Sequence, residues 1–167
     1  REALLNFLAE QFPEITSLLY CINSKANDSL YDQEIFCYRG KEYITEHLDK
    51  LQFRITAKSF YQTNPEQAKT LYRIAKEFAN LKATDTVYDL YTGTGTIALS
   101  LADSCAKVIG IESVPEAITA AKVNAQHNQI NNASFEVGDM KDCFNDSFIE
   151  KYGKANVVIT DPPRNGM

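Results

Sequence analysis

From Asp85 onward, short apolar runs alternate with helical patterns: TVYDLY, GTGTIALSLA, AKVIGIE, PEAITAAKVNAQHNQ, ASFEVGD and ANVVITD. Strand-length runs separated by helices of this length bury their faces through right-handed βαβ crossovers onto a parallel sheet. The second half is therefore predicted to be a Rossmann-like α/β layer. In such a sheet the ligand crevice lies at the C-terminal ends of the strands. That draws attention to the acids there, Asp89, Glu112, Asp139 and Asp161.

The upstream half has another texture. Leu4, Leu5, Leu8 and Phe12 keep helical spacing until Pro13 ends the run. SLLYCINSK and EIFCYRG read as strands, with a hairpin turn expected at Arg39-Gly40-Lys41 leading into EYITEHL. LQFRITAKSFYQ sets Leu51, Phe53, Ile55 and Ala57 on one face, against Gln52, Arg54, Thr56 and Lys58 on the other. Asn64, Pro65 and Gln67 form a helix start. The helix after it is expected to bury Ala68, Leu71, Tyr72, Ala75, Phe78 and Ala79. Ser113 and Glu116 make a second capping pattern, before the helix at Pro115. We divide the chain into an α+β segment with β-hairpins, residues 1–62, and the first part of an α/β domain, residues 63–167, cut after its fourth strand.

Charge narrows the partners. The 167 residues carry a net charge of −5, but residues 39–82 hold nine basic and five acidic groups, while both flanks are acidic. Nucleic acid contact, which draws most of its affinity from phosphate neutralisation, is expected from this middle stretch, with Arg54 and Lys58 on the exposed strand face as candidates. Cys21, Cys37, Cys105 and Cys143 form no C-x-x-C, and only His47 and His127 could join them, so no metal site is expected and the thiols read as free and mostly buried. No apolar run approaches the ~18 to 20 residues of a membrane span. A soluble, cytoplasmic chain without a membrane partner is expected.

The loop Asp89-Leu90-Tyr91-Thr92-Gly93-Thr94-Gly95-Thr96 joins a strand to a helix, so its glycines bring backbone N–H groups close to a ligand. A dinucleotide-binding loop reads G-x-G-x-x-G and holds a diphosphate. Here Ala98 takes the third glycine position, and Asp89 stands where it would repel a diphosphate but suit a cation. S-adenosylmethionine, with its sulfonium and α-amino groups, fits that charge. Glu112 can take both ribose hydroxyls, at ~1.5 to 3 kcal/mol for each charge-assisted bond. Asp139 is placed for the adenine amino group, or is simply a turn residue after Gly138. The Gly-Lys-Ser/Thr of a P-loop is absent.

After the strand VVIT comes Asp161-Pro162-Pro163-Arg164-Asn165-Gly166. Amino-methylating enzymes of nucleic acids carry an aromatic residue where Arg164 stands, which counts against amine methylation. The chain resembles the RNA uracil C5-methyltransferases, which form 5-methyluridine in tRNA and 23S rRNA. The resemblance rests on Phe60-Tyr61-Gln62-Thr63-Asn64, DLYTGTGTIALSLA, GIESVPEAI, Asn124 and DPPRNG, and it covers residues 50–167 well. It implies a class I, Rossmann-like methyltransferase domain that uses S-adenosylmethionine. Gln62 would contact the methionine part of the cofactor, while Tyr91 and Thr96, with Asp89, Gly93 and Gly95, would form its loop. Glu112 would hold the ribose, Asp139 the adenine side, and Asp161 would close the site. Arg164 joins Arg54 and Lys58 as an RNA contact. Relatives often have Cys where Thr92 stands and Asn where Thr96 stands.

Carbon 5 of uracil is a poor nucleophile. Enzymes of this family add a Cys thiolate to carbon 6, let the resulting enolate attack the methyl group, and remove the carbon 5 proton with a base. In the family the Cys and the glutamate base lie downstream of D-P-P-R. No catalytic residue is therefore assigned here, and the expectation is an internal fragment that binds cofactor without turning over. Its sheet should follow the order 3-2-1-4, with the strand before Asp161 open to pairing between chains. An amine methyltransferase acting on a base or a protein, and a non-catalytic nucleoside- or RNA-binding scaffold, stay open as alternatives.

Overall fold

The computed structural model describes residues 1–27, 30, 32–143 and 145–162. Its elements are α1 (Glu2–Gln11), β1 (Ser17–Cys21), β2 (Ile35–Gly40), β3 (Tyr43–Leu48), β4 (Leu51–Thr56), α2 (Pro65–Ala79), β5 (Thr86–Leu90), α3 (Thr96–Leu101), β6 (Lys107–Glu112), α4 (Pro115–His127), β7 (Ala133–Val137), α5 (Met140–Cys143), α6 (Asp146–Tyr152) and β8 (Val157–Thr160), with a 3-10 turn at Ala102–Ser104. Among the described residues no helix is long and apolar enough to cross a membrane.

The four-stranded sheet runs β7-β6-β5-β8 with every pair parallel, which is the expected order. Its central strands read as apolar runs because both faces are covered. One face carries α3, α4, α2 and the β3–β4 hairpin. Leu48, Leu51, Phe53 and Ile55 share a single core with Tyr72, Val87, Val108, Leu99, Ala121 and Phe135. The other face packs Tyr88, Ile109 and Ile111 against Phe148, with Tyr152 beside them. Phe148 and Tyr152 are one helical turn apart on α6. Asn145 caps it by accepting from the Phe148 N–H at 3.1 Å.

The N-terminal strands pair differently from expectation. The step at Gly40 is a turn with positive φ, but it closes no hairpin: β1 pairs with β2 and β3 with β4, each antiparallel, in two separate sheets. After the turn the Lys41 N–H returns to the Thr16 carbonyl at 3.0 Å, which directs the chain away from β2. The β3–β4 turn lies at Asp49-Lys50 instead. β4 keeps the predicted alternation as far as Ile55. Ala57 is exposed, because the strand stops at Thr56, where Ser59 bonds back to its backbone.

Asn64 caps α2, accepting from the Gln67 N–H at 3.1 Å. Ala68 and Tyr72 are buried as expected, but Leu71 and Phe78 are 51% and 87% exposed, since no described element lies on their side of the helix. The thiols also differ from expectation: all four are free, yet only Cys105 is buried and Cys37 is exposed.

Candidate functional site

The loop between β5 and α3 is held by side chains from three directions. Asp89, at the end of β5, is fully buried. Its Oδ2 accepts from the Thr92 hydroxyl at 2.6 Å and from the Ala98 N–H at 3.0 Å, so one carboxylate oxygen ties the loop to the first turn of α3. Its Oδ1 and the Thr94 hydroxyl are buried without a hydrogen-bond partner among the described residues. Burial pushes the Asp89 carboxyl up to about 7 against the pull of the Thr92 and Ala98 bonds, and the charges of Asp161 and Glu112 add to the rise.

The loop backbone is unusual. Tyr91, Gly93 and Gly95 all have positive φ. For Tyr91, which carries a side chain, that conformation costs about 1 to 2 kcal/mol, the kind of local strain found at ligand sites. A Cβ on Gly93 would meet nothing within 4 Å, so the loop fronts open space there. Behind it, a Cβ on Gly110 would lie 2.7 Å from both Phe135 and the Thr92 hydroxyl. The glycine of β6 thus lets Thr92 seat itself against the sheet.

Glu112 ends β6 and turns its carboxylate onto the same loop. Its Oε2 accepts from the Gly93 N–H at 3.2 Å, and its Oε1 accepts from the Ser113 hydroxyl and the Val114 N–H, both at 3.1 Å. Ser113 therefore serves Glu112 and is not a helix cap. α4 begins at Pro115 with Val114 at its N-cap and no side-chain cap. The half-buried Thr96 opens α3, and its hydroxyl bonds the Tyr72 side chain. Burial raises the Tyr72 hydroxyl pKa, the Thr96 bond opposes this, and the charges of Asp161 and Asp89 push it further up. Asp89, Tyr91, Gly93, Gly95, Thr96, Glu112 and Asp161 thus gather around one loop.

The other predicted positions are less tightly bound to it. Asp139 is exposed after β7 and accepts from the Lys141 N–H at 2.9 Å at the start of α5. Gln62 is half-buried in the link between β4 and α2, next to Tyr61, whose ring packs 6.3 Å from that of Phe53. Arg54 and Lys58 are both half-buried beside a cleft and are not fully solvated. Arg164 lies outside the described residues.

Four contributors escaped the sequence reading as site residues: Tyr72, Thr92, Thr94 and Asn124. Asn124 is fully buried on α4. Its Nδ2 donates to the Thr94 carbonyl at 3.2 Å and its Oδ1 accepts from the Arg54 N–H at 2.8 Å, so one amide spans the loop and β4. A polar residue in line with the inward-facing Ile118, Ala121 and Ala125 of α4 was the available signal.

A parallel sheet with an acid-braced glycine loop at its first strand and a carboxylate at the end of its second is the ligand-binding apparatus of a Rossmann-like fold. A family model described as a methyltransferase domain matches residues 81–165. The chain belongs to this methyltransferase family. It is 59% identical over its whole length to an uncharacterized RNA methyltransferase of Porphyromonas gingivalis, and 56% identical over 98% of its length to another of Bacteroides thetaiotaomicron. It spans about a third of these relatives, 36% of each. Among solved structures it is similar to the Pyrococcus abyssi tRNA (uracil-54, C5)-methyltransferase in complex with S-adenosyl-L-homocysteine. That likeness has a TM-score of 0.76 and 31% identity, over 95% of this chain and 37% of the other.

Proposed function

We propose that these residues form the cofactor half of an RNA methyltransferase that uses S-adenosylmethionine and acts on carbon 5 of a uridine. The observation that carries the cofactor is the Glu112 carboxylate drawn onto the Gly93 backbone beside open space. A nucleoside entering there can exchange these bonds for its two ribose hydroxyls. The unpartnered oxygens of Asp89 and Thr94 leave acceptor capacity near a ligand that carries positive charge. Gln62 and Asp161 are assigned to the methionine end, and Asp139 to the adenine side.

When bound, S-adenosylmethionine supplies the methyl group. The chain's own residues orient it: Asp89 and Asn124 fix the loop, Tyr72 and Thr96 close its helix side, and Glu112 holds the sugar. The uridine assignment is supported by Gln62 and the D-P-P-R sequence, and by the 31% identity to the tRNA (uracil-54, C5)-methyltransferase. In this reading Arg54, Lys58 and Arg164 face RNA, either tRNA or 23S rRNA, in the cytoplasm, and the outer edge of β8 can pair with another chain. Residues 1–62 and 63–167 are its two proposed units, joined through the core that β3 and β4 share with the sheet.

The test compares two proteins on uridine-containing RNA with labelled S-adenosylmethionine. A protein of the relatives' length that carries this chain is expected to yield 5-methyluridine by mass spectrometry, and the 167-residue chain none. An N-methylated base from the longer protein would overturn the carbon assignment. Turnover by the 167-residue chain would overturn the division of labour.

A further inference from the structure

The basic residues of the middle segment are not equivalent. Lys50, Lys69, Arg73 and Lys76 are each within ion-pair distance of a carboxylate, on Asp103, Asp49, Glu77 and Asp103 respectively. Among the described residues Lys41, Arg54 and Lys58 enter no such pair. Lys41 and Arg54 instead converge on one aromatic ring. The Lys41 ammonium lies 5.6 Å and the Arg54 guanidinium 4.8 Å from the centre of the Tyr43 ring. The β3–β4 register explains the Arg54 contact. Tyr43 opposes Thr56 and Thr45 opposes Arg54, so Tyr43 and Arg54 are diagonal neighbours on the outer face of the hairpin.

Tyr43, Arg54 and Lys58 line a cleft of about 570 Å³, within the size range of small-molecule sites. Leu19 and Ile35 of the β1–β2 hairpin and Val123 of α4 supply apolar walls. The cleft shares no lining residue with the glycine loop or its acids. Glu34, Glu42 and Glu116 also line it, which sets the chemistry. Three carboxylates repel a run of phosphates but accept hydrogen bonds from the N–H groups of a base.

We infer that this cleft holds one unstacked nucleobase of a single-stranded RNA, laid against the Arg54–Tyr43 stack, with its phosphate on Lys58. Single-stranded RNA is read by stacking on aromatic rings and guanidinium planes, and a position outside the cofactor loop suits a nucleotide other than the one modified. The inference rests on the RNA reading above and adds a second contact to it.

The test uses the 167-residue chain and a short single-stranded RNA carrying 2-aminopurine, whose fluorescence is quenched by stacking. The parent chain is expected to quench it. Arg54→Lys keeps the charge and removes the plane, so it should bind about tenfold more weakly, the size of effect expected for one lost stack, with reduced quenching and an unchanged salt slope. Tyr43→Leu should reduce quenching likewise, and it carries the test if Arg54→Lys fails to fold by circular dichroism. Lys58→Gln should retain quenching and flatten the salt slope by about one. Absence of quenching by the parent chain, equal binding of duplex RNA, or parent-like quenching in both Arg54→Lys and Tyr43→Leu would overturn the inference. S-adenosylhomocysteine titrated into the same samples separates the two failures: cofactor binding without quenching leaves the methyltransferase reading standing, and quenching without cofactor binding does the reverse.

Discussion

The parallel sheet and the N-terminal hairpin of β1 and β2 are built from strands of similar length, yet they bury different amounts. β5 and β6 are buried along almost their whole length, whereas β2 has no buried residue and β1 has only Leu18. Leu4, Phe7 and Phe12 of the first helical stretch, and Ile22 after β1, are exposed. Two antiparallel strands alone are marginal in water. A site that must hold backbone N–H groups in place needs the buried sheet, and the hairpin can serve only as a wall. The β3–β4 hairpin falls between them, with its inner face in the sheet's core and its outer face on the cleft.

The sharpest way to break this contrast is core truncation. Phe53→Ala removes a fully buried ring from the shared core and should cost about 3 to 5 kcal/mol. Leu18→Ala, on the hairpin, should fall near the low end for such a change, about 2 kcal/mol. Denaturant melts of both variants check the order, and equal losses would erase the distinction.

Next in size is Asn124→Ala. It deletes the bonds to the Thr94 carbonyl and the Arg54 N–H and should cost about 2 to 3 kcal/mol, since buried groups are left unpaired. Affinity for S-adenosylhomocysteine should fall with it, because the loop loses its tether. A variant that melts lower but binds as well would reduce Asn124 to a packing role.

Asp89 predicts a pH signature confined to the sheet half. Its carboxyl is raised in the folded chain to about 7, so the folded state holds a proton that the unfolded state has released above pH ~4. Its contribution to stability is greatest below pH ~4 and declines as pH rises from there to about 7. Melts across that window should show the decline in the parent and lose it in Asp89→Asn. Asp103 runs the other way. Its carboxyl is held down to about 2 by hydrogen bonds with Lys76 and then Lys50, so its smaller, half-exposed contribution is lost only as pH falls from about 4 through about 2. The smallest effect is expected from Phe7→Ser, an exposed position on α1, at under about 0.5 kcal/mol.

What was legible in the sequence follows the same division. Strands buried on both faces read as continuous apolar runs, so β5 and β6 were visible. β8 showed through its apolar VVIT run although Val158 is exposed at the sheet edge, and the strand order followed from the βαβ crossovers. The positions of the strand-end acids Asp89, Glu112 and Asp161 were visible too, because each follows directly from where an apolar strand ends. Pairing of β1 with β2 was hidden, since half-exposed strands carry little alternation and Gly40 looks the same whether a turn joins two partners or parts them. Tyr72 read as a core residue because its ring is one, while its hydroxyl reaches Thr96. Phe78 fitted the apolar stripe of α2, but periodicity tells which face is apolar and not what covers it.

The central claim is that the braced loop and Glu112 form a nucleoside site, and calorimetric titration with S-adenosylhomocysteine tests it most directly. The parent chain should bind saturably. Glu112→Gln should bind at least tenfold more weakly, matching the loss of at least one charge-assisted bond of about 1.5 to 3 kcal/mol, with its melting temperature little changed. No binding by the parent chain, or binding indifferent to Glu112, would contradict the account.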